Sequence, residues 1–338
     1  MQDRPVFLAE MKLNAIISFA GLEGQQEVRF SERPYALQRL AGDTILGHVL
    51  AQLQAVSVEK VILVVSEDAE LVANWVEQRL PGVEVQLTAV NEAATPLAAL
   101  RDHVSNLDAQ QLLLVSGNYI VEADFVGLVS TGADVACLIQ TEADAVPAEK
   151  LTVDDAGFYT EQKEHEVRWA GVCWFRHGSD LAVAVGALST QEGDKLAPLL
   201  DYLLEQGRQI TMQPAFYCLD TRSSDSFLHA NARLLQLGHG SQDVIERSYA
   251  EDFTVLPPVF IHETAVVQNV VIGPFVNLEA NAVVRDSIVR NSLIGAGSQV
   301  TDAILDGSLI GDKARISGRA SKVIVGDEEN MELQKGES

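Results

Sequence analysis

Positive charge is scarce in this sequence. The 338 residues include 24 Lys and Arg against 48 Asp and Glu, so the formal net charge is -24 at pH 7. A surface that binds phosphate backbones irrespective of sequence needs clustered Lys and Arg, and the chain has no run of basic residues. The composition therefore argues against nucleic acid and anionic membranes as partners.

Long apolar runs are missing as well. Continuous apolar stretches such as residues 61–65 and 112–115 are far shorter than the roughly 20 residues that a membrane-spanning helix needs. Residues 1–10 lack the positively charged start and the apolar stretch of a secretory signal. We therefore expect no membrane segment and a cytoplasmic protein.

Cysteine is rare. Cys137, Cys173 and Cys218 are odd in number, widely spaced and without a CxxC pair. This pattern predicts small buried side chains in a reducing compartment rather than disulfides or a zinc site. The seven histidines contain no pair at metal-ligand spacing, so the sequence gives a metal hydrolase little support.

A degenerate repeat occupies the last quarter of the chain. Four pairs of a β-branched residue and a glycine punctuate a run rich in Val, Ile, Ala, Asn and Asp: Ile272-Gly273, Ile294-Gly295, Ile310-Gly311 and Val325-Gly326. Repeats of this hexapeptide type predict a parallel β-helix. Because one coil cannot bury its apolar edge alone, it must stack on neighbouring coils and on another part of this chain or another subunit.

Strand and helix patterns alternate before the repeats. Apolar runs at residues 14–19, 61–65 and 112–115 and the segment 83–87 predict strands, and amphipathic stretches between them predict helices. This alternation predicts an α/β fold with a Rossmann-like, mostly parallel sheet and helices on both faces. Ligands of such sheets bind at the carboxyl ends of the strands.

Five segments resemble one family in order and spacing. They are MKLNAIISFAGLEG from Met11 onward, LLLVSGNYIVEADF, VRWAGVCWF, LLDYLLEQG and FYCLDTRSSDSFLHANARLLQ. Together they resemble the sugar-phosphate nucleotidyltransferases, also called nucleoside-diphosphate-sugar pyrophosphorylases, many of which carry a C-terminal left-handed β-helix. The resemblance implies an N-terminal extension (1–10), a nucleotidyltransferase-like domain (11–240), a connector (241–258), a left-handed β-helix (259–327) and a polar tail (328–338).

The resemblance also implies a reaction. Members of this family join a nucleoside triphosphate to a sugar 1-phosphate and release pyrophosphate by in-line attack on the α-phosphorus. Such a site needs a glycine loop close to the phosphates, cations on the leaving pyrophosphate and carboxylates that hold Mg²⁺. An active member would therefore need Mg²⁺ as its cofactor, whereas an inactive one would need none.

The triphosphate end of the site departs from the family's pattern. The family's G-x-G-T-R loop corresponds to Gly21, Gly24 and Gln25 with Glu23 between the glycines, so the family's arginine is missing and an acid has entered the loop. The lysine with which the family contacts the phosphates corresponds to Tyr35. A tyrosine cannot supply that positive charge.

The metal-binding positions are half retained. The family's Gly-Asp pair corresponds to Gly117 and Asn118, and its second metal carboxylate corresponds to Asp220. An amide is a neutral and weaker ligand for a hard dication, so Asp220 alone would hold Mg²⁺ poorly. Structural roles stay open for both residues, because Asp220 could cap a turn and Asn118 could bond to backbone.

The sugar end is better preserved. The resemblance places Thr95 at the nucleobase turn and Lys163 at the family's Glu-Lys-Pro segment, although both local sequences are imperfect matches. Ala170 and Gly171 match the Ala-Gly strand that contacts the sugar. For Gly171, a role in close strand packing is an open alternative.

Two functions of different class follow from these positions. The first is a catalytically impaired paralogue that binds a sugar phosphate or nucleotide sugar, or that regulates a catalytic partner. The second is an active enzyme whose cations have moved to Arg29 and Arg33, with metal held by Asp220 and either Glu23 or Glu122.

The β-helix predicts association. Coil faces rich in Val and Ile need covering, which favours a homo-oligomer or a complex with a catalytic paralogue. His262, on the first coil, leaves acyl transfer as a minor alternative, because a histidine on such a helix can act as a general base.

Overall fold

The protein forms two compact units. The computed structural model describes residues 13–20, 31–66, 68–79, 83–90, 100, 110–140, 148–162, 165–188, 195–240, 253–318 and 323–332. The first unit contains the first strand, Pro34–Ala36 and the described part of Leu46–Leu219. The second contains Leu37–Ile45 and the described residues from Asp220 onward.

The first 240 residues supply twelve strands and six helices to the described part of the chain. The strands are β1 (Leu13–Ser18), β2 (Arg39–Leu40), β3 (Asp43–Thr44), β4 (Val58–Val65), β5 (Glu84–Ala89), β6 (Gln111–Ser116), β7 (Tyr119–Glu122), β8 (Val135–Gln140), β9 (Lys150–Val153), β10 (His165–Phe175), β11 (Ile210–Pro214) and β12 (Tyr217–Asp220). The helices are α1 (Ile45–Leu53), α2 (Ala69–Arg79), α3 (Phe125–Val129), α4 (Gly178–Ala187), α5 (Leu196–Glu205) and α6 (Ser224–Gln236), and a 3-10 turn spans Tyr35–Leu37. In the described residues, no helix is long and apolar enough to cross a membrane.

One mixed sheet forms the centre of the first unit. Its strand order is β11-β8-β10-β6-β1-β4-β5, with β9 paired to β10. All neighbours on this path are parallel except β10, which runs antiparallel to β6 and to β8. Every residue of β1 is buried, as expected for a strand covered on both faces. The predicted Rossmann-like, mostly parallel sheet is therefore confirmed.

Helices α4 and α5 pack together and contribute to a core that also contains the sheet. Within this core, Cys137 of β8 lies directly opposite Cys173 of β10, and both side chains are buried. Burial raises the pKa of the Cys173 thiol well above its usual value, and the neighbouring Cys137 adds to the shift. The two cysteines are thus core side chains with little thiolate character, as predicted, whereas Cys218 is only half-buried.

Twelve short strands follow in the described part of the second unit. They are β13 (Phe253–Val255), β14 (Val259–Ile261), β15 (Val266–Ile272), β16 (Val276–Leu278), β17 (Val283–Arg290), β18 (Leu293–Ile294), β19 (Gln299–Thr301), β20 (Ile304–Asp306), β21 (Leu309–Ile310), β22 (Arg315–Ser317), β23 (Ile324–Val325) and β24 (Asn330–Glu332). All pairings among them are parallel. They form the predicted parallel β-helix.

The coils of the β-helix have three sides. Strands β14, β16, β18, β21 and β23 form one side. The long strand β17 bends over the other two sides, because its first residues pair with β19 and its last residues pair with β20. Successive partners Val259↔Val276, Leu293↔Leu309 and Leu309↔Ile324 give coils of 17, 16 and 15 residues.

The repeated β-branched residues stack inside the coils. Ile294 pairs with Ile310, and Ile310 pairs with Val325, so three of the four repeat positions form one buried ladder. Ile272 lies in the adjoining sheet and is also buried. Corners between strands use left-handed backbone conformations, which Asn, Asp and Gly adopt most easily. Such corner residues include Asn269, Asn281, Asp286, Asn291, Gly297, Asp302 and Gly307.

A hairpin and a helix cover one side of the β-helix. Strands β2 and β3 are joined by Ala41 and Gly42, both of which have positive φ values, as a two-residue hairpin turn of type I′ requires. A side chain at Gly42 would collide with the Phe260 ring, because a Cβ there would lie 2.7 Å from it. Asn231 of α6 accepts a hydrogen bond from the Ala41 N–H at 2.9 Å and thereby fixes the strained residue of the turn.

Candidate active site

Asp220, the retained metal-carboxylate position, is bound to an arginine of its own chain. It ends β12, and its side chain is only 3% exposed. Its Oδ1 accepts from Nε of Arg222 at 2.9 Å and from the Arg222 backbone N–H at 3.1 Å, while its Oδ2 accepts from Nη2 at 3.1 Å. This two-pronged arrangement is the strongest form of arginine–carboxylate pairing. Both carboxylate oxygens are therefore engaged by one guanidinium.

The donor set does not fit a magnesium site. Mg²⁺ needs near-octahedral oxygen ligands at about 2.0–2.1 Å and is held through carboxylates, but the oxygens of Asp220 already accept hydrogen bonds from a cation. Within the described residues, no three His, Cys, Asp or Glu side chains come together in a way that could hold a metal ion. We derive no catalytic step through Mg²⁺ for this chain.

Asn118, the other metal position, lies in the turn between β6 and β7 and is buried. Its Oδ1 accepts a hydrogen bond from the Ser116 hydroxyl at 2.6 Å. The preceding Gly117 donates its N–H to the Ser18 carbonyl, and a Cβ at this position would lie 2.5 Å from the Phe19 ring. Close packing between two strand ends thus accounts for the glycine.

Tyr35, at the family's lysine position, is a core residue of the first unit. It is 1% exposed, and its ring meets Phe19 edge-on with ring centroids 6.1 Å apart. Aromatic pairs favour this geometry. At this position the chain therefore has a side chain that packs in the core, where the family has a lysine that binds phosphate.

Arg33, a possible substitute cation, also forms an ion pair within its own chain. Its Nε and Nη2 lie 2.8 and 2.6 Å from Oδ2 of Asp312 in the β-helix. The adjacent Glu32 donates its backbone N–H to Asp327 at 2.5 Å. Asp312 is itself fixed, since its Oδ1 accepts from the Ala296 N–H at 2.7 Å. The chain at residues 32–33 is thus anchored on the last described coils.

The sugar end carries a bulge. The register between β10 and β8 shifts between Trp169 and Cys173, a stretch that contains the two matched positions Ala170 and Gly171. Gly171 has φ +82°, and a Cβ there would lie 2.5 Å from the ring of Tyr119, the residue that follows Asn118. The bulge and the β6–β7 turn are therefore neighbours, and both the backbone conformation and the available space require glycine.

The other predicted site residues are not brought together with Asp220 or Asn118 by any described contact. Glu122 ends β7 with an exposed side chain, and its carbonyl accepts from the Phe216 N–H. His262 contacts Thr264, whose backbone N–H donates to Nδ1 at 3.2 Å. The remaining candidates lie outside the described residues; these are Gly21, Glu23, Gly24, Gln25, Arg29, Thr95 and Lys163.

No pattern in the sequence points to Glu149 as a residue of this region. Its carboxylate accepts from the backbone N–H groups of Leu196 and Ala197 at 2.7 and 2.8 Å, so it caps α5 from a distant segment. Burial raises the pKa of the Glu149 carboxyl, while these two hydrogen bonds oppose the shift. Its carbonyl accepts from the Trp169 N–H at 2.9 Å, which ties the cap to the bulge.

Known proteins resemble this chain in sequence and in fold. No family model matches the chain. It is 25% identical over 348 residues to the bifunctional protein GlmU of Stutzerimonas stutzeri strain A1501, in an alignment that spans 90% of this chain and 75% of that protein.

Two solved structures share the fold over 65% of this chain. One is the inositol-1-phosphate CTP transferase of T. maritima, with a TM-score of 0.54, 16% identity and 93% of that chain covered. The other is a Bacillus anthracis protein assigned as a glucose-1-phosphate thymidylyltransferase and solved with sucrose, with a TM-score of 0.55, 12% identity and 94% covered. The predicted resemblance to the sugar-phosphate nucleotidyltransferases is therefore confirmed, and this chain joins a domain of their fold to a C-terminal parallel β-helix.

Proposed function

We propose that this protein is a catalytically impaired relative of the sugar-1-phosphate nucleotidyltransferases, which binds a sugar phosphate or nucleotide sugar, or regulates a catalytic partner. The observation that carries the proposal is the ion pair between Asp220 and Arg222, which occupies both oxygens of the retained metal carboxylate. With that carboxylate paired, the other metal position offers only the amide of Asn118, a neutral and weaker ligand for a dication.

The loss of cations supports the same proposal. Transfer of a nucleotidyl group requires positive charge on the leaving pyrophosphate, where preorganised cations contribute much of the rate. Tyr35 is buried against Phe19, and Arg33 is paired with Asp312. The second of these contacts speaks against an active enzyme that uses Arg33 as a relocated cation.

The ligand class follows from the better-preserved end of the site. The bulge at Ala170 and Gly171 keeps its glycine in a left-handed conformation beside Tyr119. Two relatives of the same fold are described as acting on inositol 1-phosphate and glucose 1-phosphate. We therefore propose a sugar or polyol phosphate, alone or within a nucleotide sugar, as the ligand.

The decisive experiment measures pyrophosphate release from ATP, CTP, GTP, UTP and dTTP with a panel of sugar 1-phosphates and Mg²⁺. The T. maritima inositol-1-phosphate CTP transferase, with its own substrates, serves as the positive control. We expect turnover at least about 1,000-fold below that control, because Tyr35 replaces the family's lysine and Asp220 is paired with Arg222.

Contamination is distinguished from activity by Asp220→Asn. A trace of host enzyme gives the same rate with wild type and variant, whereas genuine turnover through the remaining carboxylate falls in the variant. Turnover near that of the control, lost in Asp220→Asn, would establish the alternative of an active pyrophosphorylase. Calorimetric titration with sugar 1-phosphates and nucleotide sugars then tests the binding role directly.

Self-association, or pairing with a catalytic paralogue in the cytoplasm, belongs to the same proposal. On one side of the β-helix, Val271, Ile288 and Ile304 are successive partners across three coils, and Ile304 is 45% exposed. An apolar β-branched ladder of this kind is stabilised when another surface covers it. We expect an oligomer by light scattering at micromolar concentration, and a strict monomer would contradict this part of the proposal.

A further inference from the structure

The pair between Asp220 and Arg222 has an unusual position for a salt bridge. The carboxylate is 3% exposed and the arginine side chain 21% exposed, so the charges are largely withdrawn from water. Moving a charge out of water is costly, and a close partner is needed to offset that cost. Arg222 provides the partner two residues further along the chain, from the turn that leads into α6.

Helix capping does not explain this pair. Ser223 caps α6, since its hydroxyl accepts from the Ser226 N–H at 3.1 Å and the Ser226 hydroxyl accepts from the Ser223 N–H at 3.0 Å. These two reciprocal bonds satisfy the start of the helix without any carboxylate. A buried Asp220 is therefore not needed to cap the helix, although its Oδ1 also accepts the Arg222 N–H and so supports the turn itself.

The geometry also excludes sharing between the guanidinium and a dication. A metal bound to Oδ1 of Asp220 would lie about 2.1 Å from that oxygen, while the Arg222 Nε lies 2.9 Å from the same atom. The two cations would then be at most about 5 Å apart in a site with little water, where like charges repel strongly. Only one of them can serve as the counter-charge of this carboxylate.

We propose that Arg222 replaces the divalent cation as the permanent counter-charge of Asp220, so that this site works without metal. The claim about the ligand rests on the proposed function: a sugar phosphate binds here independently of Mg²⁺. The claim about the metal rests only on the contacts of this chain. Arg222 therefore has a positioning role, because its guanidinium holds the carboxylate that would otherwise recruit a metal cation.

Mn²⁺ provides the probe, because its electron paramagnetic resonance signal broadens when it binds to protein. With wild type we expect the signal of free Mn²⁺ and the same melting temperature in millimolar Mn²⁺ as in EDTA. With Arg222→Gln the buried carboxylate lacks its partner, and Mn²⁺ should raise the melting temperature by about 3 °C or more. The double variant Asp220→Asn, Arg222→Gln should lose this response.

Arg233→Gln is the matched control, since Arg233 is an exposed arginine of the same unit that contacts Gln236. It should respond to Mn²⁺ as wild type does. An Arg222→Gln variant that folds and ignores Mn²⁺ would overturn the inference. Wild-type binding of Mn²⁺ that disappears in Asp220→Asn would overturn it too, and that comparison remains decisive if Arg222→Gln does not fold.

Failure of this inference and failure of the proposed function have different outcomes. Binding of Mn²⁺ to wild type without pyrophosphate release would refute the role of Arg222 and leave an impaired relative. Pyrophosphate release that persists in EDTA would refute impairment and leave Arg222 as the counter-charge. Binding of glucose 1-phosphate with equal affinity in Mg²⁺ and in EDTA supports both.

Discussion

Replacing Arg39 with methionine is expected to lower the free energy of unfolding of the second unit by about 3–5 kcal/mol, because the change leaves a buried carboxylate without its charge partner. Arg39 Nε lies 2.5 Å from Oε2 of Glu279, whose side chain is only 4% exposed. Methionine keeps much of the aliphatic stem, so the loss reports on charge more than on packing.

The pair belongs to a closed ring of contacts that fastens the β2–β3 hairpin to the β-helix. Glu279 also accepts from the Asn277 amide at 2.8 Å, and Asn277 accepts from the Gly42 N–H at 3.0 Å. Arg39 closes the ring by donating to the Gly42 carbonyl at 3.1 Å. Removing the cation therefore disturbs the hairpin as well as the carboxylate.

Two variants separate charge from other effects. The double variant Arg39→Met, Glu279→Gln removes both charges and should recover most of the loss. Lys313→Met is the surface control, because Lys313 and Glu328 form a pair at 2.7 Å with both side chains about 70% exposed. Exposed pairs contribute little, so this variant should unfold as wild type does.

Urea unfolding by circular dichroism measures these changes. The three tryptophans, Trp75, Trp169 and Trp174, all belong to the first unit, so their fluorescence reports on that unit separately. A shift in the dichroism transition is expected in Arg39→Met. Equal stability of Arg39→Met and wild type would contradict the charge pairing inferred for Glu279.

Much of the fold was predictable because its determinants are local in sequence. The continuous apolar run at 61–65 became β4, with Val61 to Val65 all buried, as a strand covered on both faces requires. The Ile-Gly pairs predicted the β-helix because each coil repeats the same inward residue.

The contacts that decide the chemistry were not predictable in the same way. Arg33 and Asp312 are 279 positions apart, and nothing in the local sequence of either residue indicates the other. The hairpin of β2 and β3 depends on a partner just as remote, because its turn is held by Asn231, 190 positions from Ala41. Charge partners of this kind are determined by tertiary packing alone.

Arg222 is a different case, because its partner is only two residues away. The match of Asp220 to the family's metal carboxylate predicts a ligand, whereas Arg222, two positions later, predicts a paired carboxylate. A nearby guanidinium changes the meaning of a retained carboxylate, since a carboxylate that already has a counter-charge is a poor metal ligand. The signal was present in the segment CLDTR.

Replacing Tyr35 with lysine, the residue type of the family at this position, is expected to cost about 3–5 kcal/mol and to restore no pyrophosphate release. Tyr35 is 1% exposed and packs edge-on against Phe19. A lysine there would lose the aromatic contact and would have to bury its ammonium group or give up its proton. Restoring the family residue would therefore damage the core before it could reach a phosphate.

Tyr35→Phe is the matched control, because it retains the ring and removes only the hydroxyl. It should lose about 1 kcal/mol or less, so the difference between the two variants isolates the cost of a buried cation. Tryptophan fluorescence during urea unfolding measures both, since Tyr35 and all three tryptophans belong to the first unit. Suppose instead that Tyr35→Lys is as stable as Tyr35→Phe and releases pyrophosphate. The side chain would then reach the phosphates, and the proposed impairment would depend on this one position rather than jointly on Tyr35, Asn118 and the pairing of Asp220 with Arg222.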